Sequence, residues 1–278
     1  MKTSASAGIP GTPGTAPATP TANLGNAAQR VQQAIAMVDS DPVRARAELT
    51  RLLDSNQLSA AERQMAYGGI NRLAEKLFFS PKIVPGDTTS QSYVVKRGDS
   101  LAKISAKEKL GCDWRFVQRI NNLASEKALR QDMRLKLVHG PFDAEVEKAD
   151  FRINIYAGTG NDRVMVANFP CGLGTNDSTP VGTFKVRPGS KLIDPQWTNP
   201  HTGEHFASND PKNPIGERWI GLMGTTPETQ KFTGYGIHGT VDPQSIGKQM
   251  SMGCVRLGDA EVQVVYELIG EGSTIVIR

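Results

Sequence analysis

Along the chain the hydrophobic positions change period twice. From residue 24, Leu24, Ala28, Val31, Ile35 and Val38 recur at intervals of three and four, one apolar face of a helix. Asp41 followed by Pro42 is an N-cap with proline at the first helical position, opening a second helix through Leu53. Ser59 with Glu62 forms a capping box, opening a third that runs to about Phe79 and stops at Pro81. The expectation is a helical segment over 25–80 acting as a structural or docking spacer. Residues 81–91 follow as a linker, by their proline, glycine and small polar content.

Beyond the linker, Tyr93 to Val95 alternates like a strand. Gly98 turns the chain, Asp99 caps a helix, Asn121 and Asn122 end a second helix, and 133–137 close a small sheet, a β-α-α-β unit over 92–139. The remainder, placed at 146–278, is strand rich. F-R-I-N-I-Y-A at 151–157 and V-M-V-A-N-F at 164–169 flank a G-T-G-N-D hairpin turn. Further strands are predicted at 182–186, 219–222, 235–238 and 274–277, with a helix over 259–268. This makes a mainly β, sandwich-like domain. Pro188 to Pro214 reads as a long irregular segment carrying Trp197, His201 and His205, of the kind that forms lids and binding loops.

Residues 1–24 have no large apolar run and carry prolines at 10, 13, 17 and 20, so they cannot bury enough surface to offset ordering, and disorder is expected. The stretch also lacks the apolar centre of a signal peptide, and an export signal or anchor helix is expected to have been lost ahead of Met1. At 278 residues, 38% hydrophobic and 22% charged, the composition is that of an ordinary globular protein of about two domains. A net charge of +4 suits an anionic polymer but is too weak and unclustered for nucleic acid. Three cysteines, Cys112, Cys171 and Cys254, are too few for a disulfide scaffold; Cys112 and Cys171 fall in different predicted domains and are expected as free thiols.

The chemistry concentrates in Y-G-I-H-G-T-V-D-P-Q-S-I-G-K-Q-M-S-M-G-C-V-R-L, Tyr235 to Leu257. A thiol is mostly protonated at neutral pH, so a nucleophilic cysteine needs a base, and histidine is suited to that task. Cys254 and His238 are the candidate nucleophile and base. Gly253 lets the backbone turn sharply before the nucleophile, and the carbonyl of Gly239 is placed to hold the imidazole in one tautomer. The bland alternative, a buried thiol and a satisfied core histidine, does not account for glycines beside both residues. H-T-G-E-H at 201–205 lacks the helical HExxH arrangement of a zinc protease, and no metal or cofactor is expected.

I-H-G-T, a spacer and S-M-G-C-V-R-L resemble the signature of the YkuD-type L,D-transpeptidases: histidine, spacer, Ser or Thr, any residue, Gly-Cys, any residue, Arg or Asn. His238, Ser251, Gly253, Cys254 and Arg256 fall on that pattern; Met252 stands where many members carry a second histidine. S-T-P-V-G-T-F-K from Ser178 and N-P-I-G-E-R-W-I-G-L from Asn213 are similar to other segments of such domains. Y-V-V-K-R-G-D-S-L-A-K-I, V-Q-R-I-N-N-L and M-R-L-K-L, between Tyr93 and Leu137, resemble a LysM module, with Arg130-Gln131-Asp132 in place of the usual Pro-Gly-Gln.

The resemblance implies a cysteine acyltransferase. It would cleave the bond between the diamino acid at stem position three and D-alanine at position four, then pass the acyl group to a second stem amine or to water. His238 would serve as base, Cys254 as nucleophile, and the amide of Cys254 with that of Gly253 as oxyanion donors. Tyr235, Ser251 and Arg256 join Gly253 as the substrate-binding set. Ser251 would support the turn, and Arg256 would either pair with a stem carboxylate or make a structural ion pair. The LysM resemblance implies N-acetylglucosamine binding near Gly98, Asp99, Ser100 and Asn121. The implied partners are peptidoglycan stem peptides and glycan strands, with membrane contact only through a missing anchor, in the periplasm or cell wall. Alternatives are an L,D-carboxypeptidase or cysteine peptidase on stem peptides, and a non-catalytic wall-binding protein.

Overall fold

The computed structural model describes residues 24–278, so the tract expected to be disordered lies, but for its last residue, outside the described residues. Three helices come first, α1 (Leu24–Ala36), α2 (Pro42–Asp54) and α3 (Ala60–Leu77). Asp41 accepts from Arg44 N–H at the start of α2, and Ser59 and Glu62 form the reciprocal capping box of α3. Their apolar faces meet in a core of Val31, Ala34, Leu49, Leu52, Ile70 and Leu73.

The β-α-α-β unit consists of β1 (Ser90–Val94), α4 (Leu101–Lys107), α5 (Trp114–Ile120) and β2 (Arg134–Val138), the two strands antiparallel with Ser90 opposite Val138. Ser100, not Asp99, is the N-cap of α4. Asp99 points back to the strand instead, where its carboxylate accepts from Tyr93 O–H and Lys96 N–H, both at 2.8 Å. Side-chain bonding within the turn won over the cap.

The last unit holds β3 (Phe142–Glu147), β4 (Arg152–Ala157), β5 (Val164–Pro170), β6 (Leu173–Gly174), β7 (Gly182–Ile193), β8 (Trp197–Thr198), β9 (His205–Phe206), β10 (Arg218–Gly224), α6 (Pro227–Gln230), β11 (Gly236–His238), β12 (Gln249–Ser251), β13 (Val255–Arg256), α7 (Asp259–Leu268) and β14 (Thr274–Ile277). Eight strands form one sheet in the order β13-β11-β10-β7-β14-β3-β4-β5, mainly β as expected. Two findings differ from the strand pattern. β3, starting at Phe142, was not foreseen, because F-D-A-E-V-E alternates with acidic residues that the fold buries against arginines: Glu145 pairs with Arg163 and Arg278. The segment from Pro188 is not irregular throughout. β7 continues to Ile193, and a register shift opposite Ile220 to Leu222 absorbs Pro188-Gly189 as a bulge. The rest of that segment carries the β8-β9 hairpin, with Trp197 stacked on Phe206.

The three units share buried surface. The alternation of β4 sends Ile153, Ile155 and Ala157 into the sheet core and leaves Asn154 and Tyr156 on the other face, yet these are buried too. The helices cover that face: Tyr156 and Met165 lie in the helical core, Tyr156 O–H reaches Asp54, and Arg63 clasps Asp150 with both Nε and a terminal nitrogen. The helical segment thus packs on the sheet as a layer. The β-α-α-β core runs on into the sheet through Phe78, Phe116 and Phe142, and Arg119 of α5 makes two 2.7 Å bonds to Glu267 of α7. Lys136, fully buried on β2, donates to the carbonyls of Leu77, Ser80 and Lys82 and so ties the end of α3 to the small sheet. Among the described residues no helix is long and apolar enough to cross a membrane.

Candidate active site

The register of four strands assembles the site. Ile220, Ile237 and Val255 alternate onto the face packed by α7 and are fully buried, which sends their neighbours to the opposite face. On that face Leu192, Trp219, His238 and Arg256 stand opposite one another across β7, β10, β11 and β13. Two residues along, Gly221 pairs with Gly236, and the parallel register of β11 and β13 sets Cys254 beside Gly236. Cys254 and His238 are therefore diagonal neighbours on one face, the separation across which cross-strand side chains interact.

His238 is 4% exposed. Its Nδ1 lies 2.6 Å from the carbonyl of Gly239, which can only accept, so Nδ1 carries the proton and Nε2 is left as a base. Desolvation pushes its pKa down to about 4, reinforced by the Arg256 charge and opposed by the backbone bonds with Gly239 and Ile215. Burial likewise holds the Cys254 thiol above its ordinary value, with Gly236 and Arg256 acting the other way. The pair rests as neutral imidazole and neutral thiol.

The turn before the nucleophile is built by Ser251 and Gly253. Ser251 Oγ donates to the Cys254 carbonyl at 2.6 Å and accepts from Gly253 N–H at 3.0 Å. The Gly253 amide is thereby committed, which corrects the expectation that it shares in oxyanion binding. Among the described residues the Cys254 amide meets no acceptor and stays available for that role. Gly253 has φ +124, and a Cβ there would fall 2.5 Å from the Tyr235 ring, so only glycine fits between the turn and that ring.

A cavity of about 340 Å³ opens over this face, lined by Cys254, His238, Tyr235 and Arg256 together with Trp219 and the hairpin residues Trp197 and His201. His205 turns away and bonds Thr198 at 3.0 Å. Arg256 is half-buried, its Nε is buried without a partner, and it forms no ion pair among the described residues. The structural ion pair considered for it is absent, because Asp242 acts on it only from a distance. Cys112 and Cys171 are buried free thiols, and burial pushes both up to about 12.

In the β-α-α-β unit the four groove candidates are occupied by structural work. Gly98 takes φ +86 in the turn, Asp99 holds Tyr93, Ser100 accepts from Lys103 N–H, and Asn121 joins α5 to β2 by bonds to Val117 and to both backbone groups of Lys136. Trp219 was missed as a site residue. A tryptophan in a strand reads as core, and only the register reveals that it stacks on His238, with ring centroids 5.7 Å apart and planes at 20°.

Comparison with known proteins covers two stretches. Residues 142–277 match the family model of the YkuD L,D-transpeptidase catalytic domain, and residues 93–138 match that of the LysM domain. YqjB of Bacillus subtilis, provisionally named an L,D-transpeptidase, is 34% identical over 103 residues, 37% of this chain and 53% of its own length. YkuD of the same organism, named likewise, is 34% identical over 84 residues, 29% of this chain and 46% of its own. The chain spans about half the length of these curated relatives. A solved L,D-transpeptidase from Mycobacterium tuberculosis superposes with TM-score 0.36 at 13% identity, covering 54% of this chain and 74% of that one. By the two family models, residues 142–277 carry a YkuD L,D-transpeptidase catalytic domain, preceded by a LysM domain at residues 93–138.

Proposed function

We propose that this chain is a cysteine L,D-transpeptidase of peptidoglycan, working at the cell wall, with Cys254 as nucleophile and His238 as base. One observation carries the reading: the thiol and an imidazole whose Nδ1 is held by the Gly239 carbonyl stand on one face of adjacent strands, in a cavity that also holds a guanidinium with no ion pair among the described residues. Nε2 takes the thiol proton and the thiolate attacks the carbonyl of the third stem residue. The Cys254 amide faces the oxyanion. As the tetrahedral adduct collapses, His238 returns its proton to the departing D-alanine amine and a thioester remains. A side-chain amine of a second stem then attacks the thioester, forming the 3 to 3 cross-link; water in its place gives carboxypeptidase turnover. Arg256, desolvated and lacking a carboxylate of its own, is suited to hold a stem carboxylate.

The LysM domain supports binding of the glycan strands. Since Gly98, Asp99, Ser100 and Asn121 serve the domain's own turns, any sugar contact through them is made by their outward edges. The experiment is intact-protein mass after exposure to a carbapenem and, separately, to a tetrapeptide stem, for the parent and Cys254→Ala. A covalent adduct on the parent alone, with released D-alanine and a dimeric product, supports the reading. D-alanine without dimer moves it to the carboxypeptidase, and no adduct on folded protein moves it to a wall-binding role.

A further inference from the structure

We infer that Trp219 is a positioning residue for His238, its indole face holding the imidazole in place and stabilising the cation formed when Cys254 is deprotonated. The inference rests on the transpeptidase reading of the same site. The register alone would leave room for any side chain at 219. The neighbouring pair Gly221 and Gly236 makes the difference, because the indole lies over both. A Cβ on Gly236 would meet its Cζ2 at 2.7 Å and Cη2 at 2.8 Å; a Cβ on Gly221 would meet Ser190 first, at 2.8 Å, and then the indole Nε1 at 3.2 Å. Gly236 thus forgoes a side chain where the ring lies flat, and Gly221 does so between Ser190 and the ring edge. From there it stacks on His238 at 5.7 Å and lines the cavity.

The imidazole is held on two sides, by Gly239 O at Nδ1 and by the indole against its plane. When the S–H bond of Cys254 breaks, the electron pair stays on sulfur and the proton moves to Nε2. The imidazolium then sits within the distance at which an aromatic face attracts a cation, in a site from which water is largely excluded. The backbone bonds with Gly239 and Ile215 favour that charge. Of the surrounding side chains, Arg256 from β13 repels it, Asp259 of α7 lies behind Gly239, and His201 and Tyr235 line the same cavity. Besides the new thiolate and the backbone bonds with Gly239 and Ile215, the indole is the group stacked on the ring plane that favours its charged form.

The test is the pH dependence of Cys254 alkylation by iodoacetamide, followed by mass mapping. It needs no acyl substrate and so stands apart from success or failure of the transpeptidase assay. The parent is expected to react through a shoulder at neutral pH that reports the thiolate-imidazolium pair. Trp219→Leu should lower the rate on that shoulder on the order of tenfold, with Trp219→Phe between the two. Rates at high pH, where the thiol ionises unaided, should converge. Should Trp219→Leu fail to fold, fluorotryptophan incorporated into a Trp197→Phe background keeps the indole's volume and drains its π face; the shoulder should fall with fluorination. A folded Trp219→Leu with the parent's profile, a fluorinated protein with an unchanged shoulder, or a parent with no shoulder overturns the inference.

Discussion

Gly253→Ala isolates how much of the site depends on backbone conformation. At φ +124 an L side chain is strained, at a cost of about 1–3 kcal/mol. The new methyl would also stand 2.5 Å from Tyr235 Cε1 and 3.1 Å from the Ser178 carbonyl. The tyrosine ring can shift but the carbonyl belongs to the backbone, so overpacking adds about 1–3 kcal/mol more. At about 2 °C per kcal/mol for a chain of this size, the melting temperature should drop by about 4–12 °C. Relief by movement of Tyr235 changes the wall of the cavity, and relief by movement of the turn displaces Cys254, so acylation should slow in either case. The comparison is Gly247→Ala, at φ +79 with nothing within 4 Å of the added Cβ, which carries strain without a clash. Thermal denaturation and carbapenem acylation rates of both variants decide it. Equal losses of stability in the two, with acylation unchanged in Gly253→Ala, would refute the argument that the Tyr235 contact demands glycine.

Three further outcomes are expected. Because His238 is held at about 4 when folded against an ordinary 6.5, the unfolded chain binds the extra proton first; its contribution to stability is complete above pH 6.5 and is lost as pH falls toward 4. Denaturation of parent and His238→Gln across that window should differ in slope by a total of about 3 kcal/mol. Arg256→Met should leave stability within about 1 kcal/mol, since no ion pair is broken, while raising KM for a carboxylate-bearing stem about tenfold or more with a smaller change in kcat, as steady-state kinetics would show. Arg119→Ala strands the buried Glu267 carboxylate at the contact between the LysM and catalytic domains, costing about 1–3 kcal/mol and raising hydrogen exchange in α5 and α7 together.

Much of this protein is written locally. Asp41-Pro42 and the Ser59/Glu62 box begin their helices in the chain's own order, since a cap needs only residues three apart. The helix at 259–268 and the strand at 274–277 follow from period alone. The cysteine, the histidine and the flanking glycines were legible because their chemistry demands those residue types. The tertiary structure decided what depends on partners distant in sequence. Asp99 gave up its cap to hold Tyr93, and β3 was hidden until arginines from elsewhere neutralised its carboxylates. The outer face of β4 reads as solvent exposed until the helices cover it. The commitment of the Gly253 amide to Ser251, the missing partner of Arg256 and the stacking of Trp219 on His238 all arise from register and turn geometry. Sequence pattern shows which way a strand alternates; the strand laid beside it sets which residues face each other.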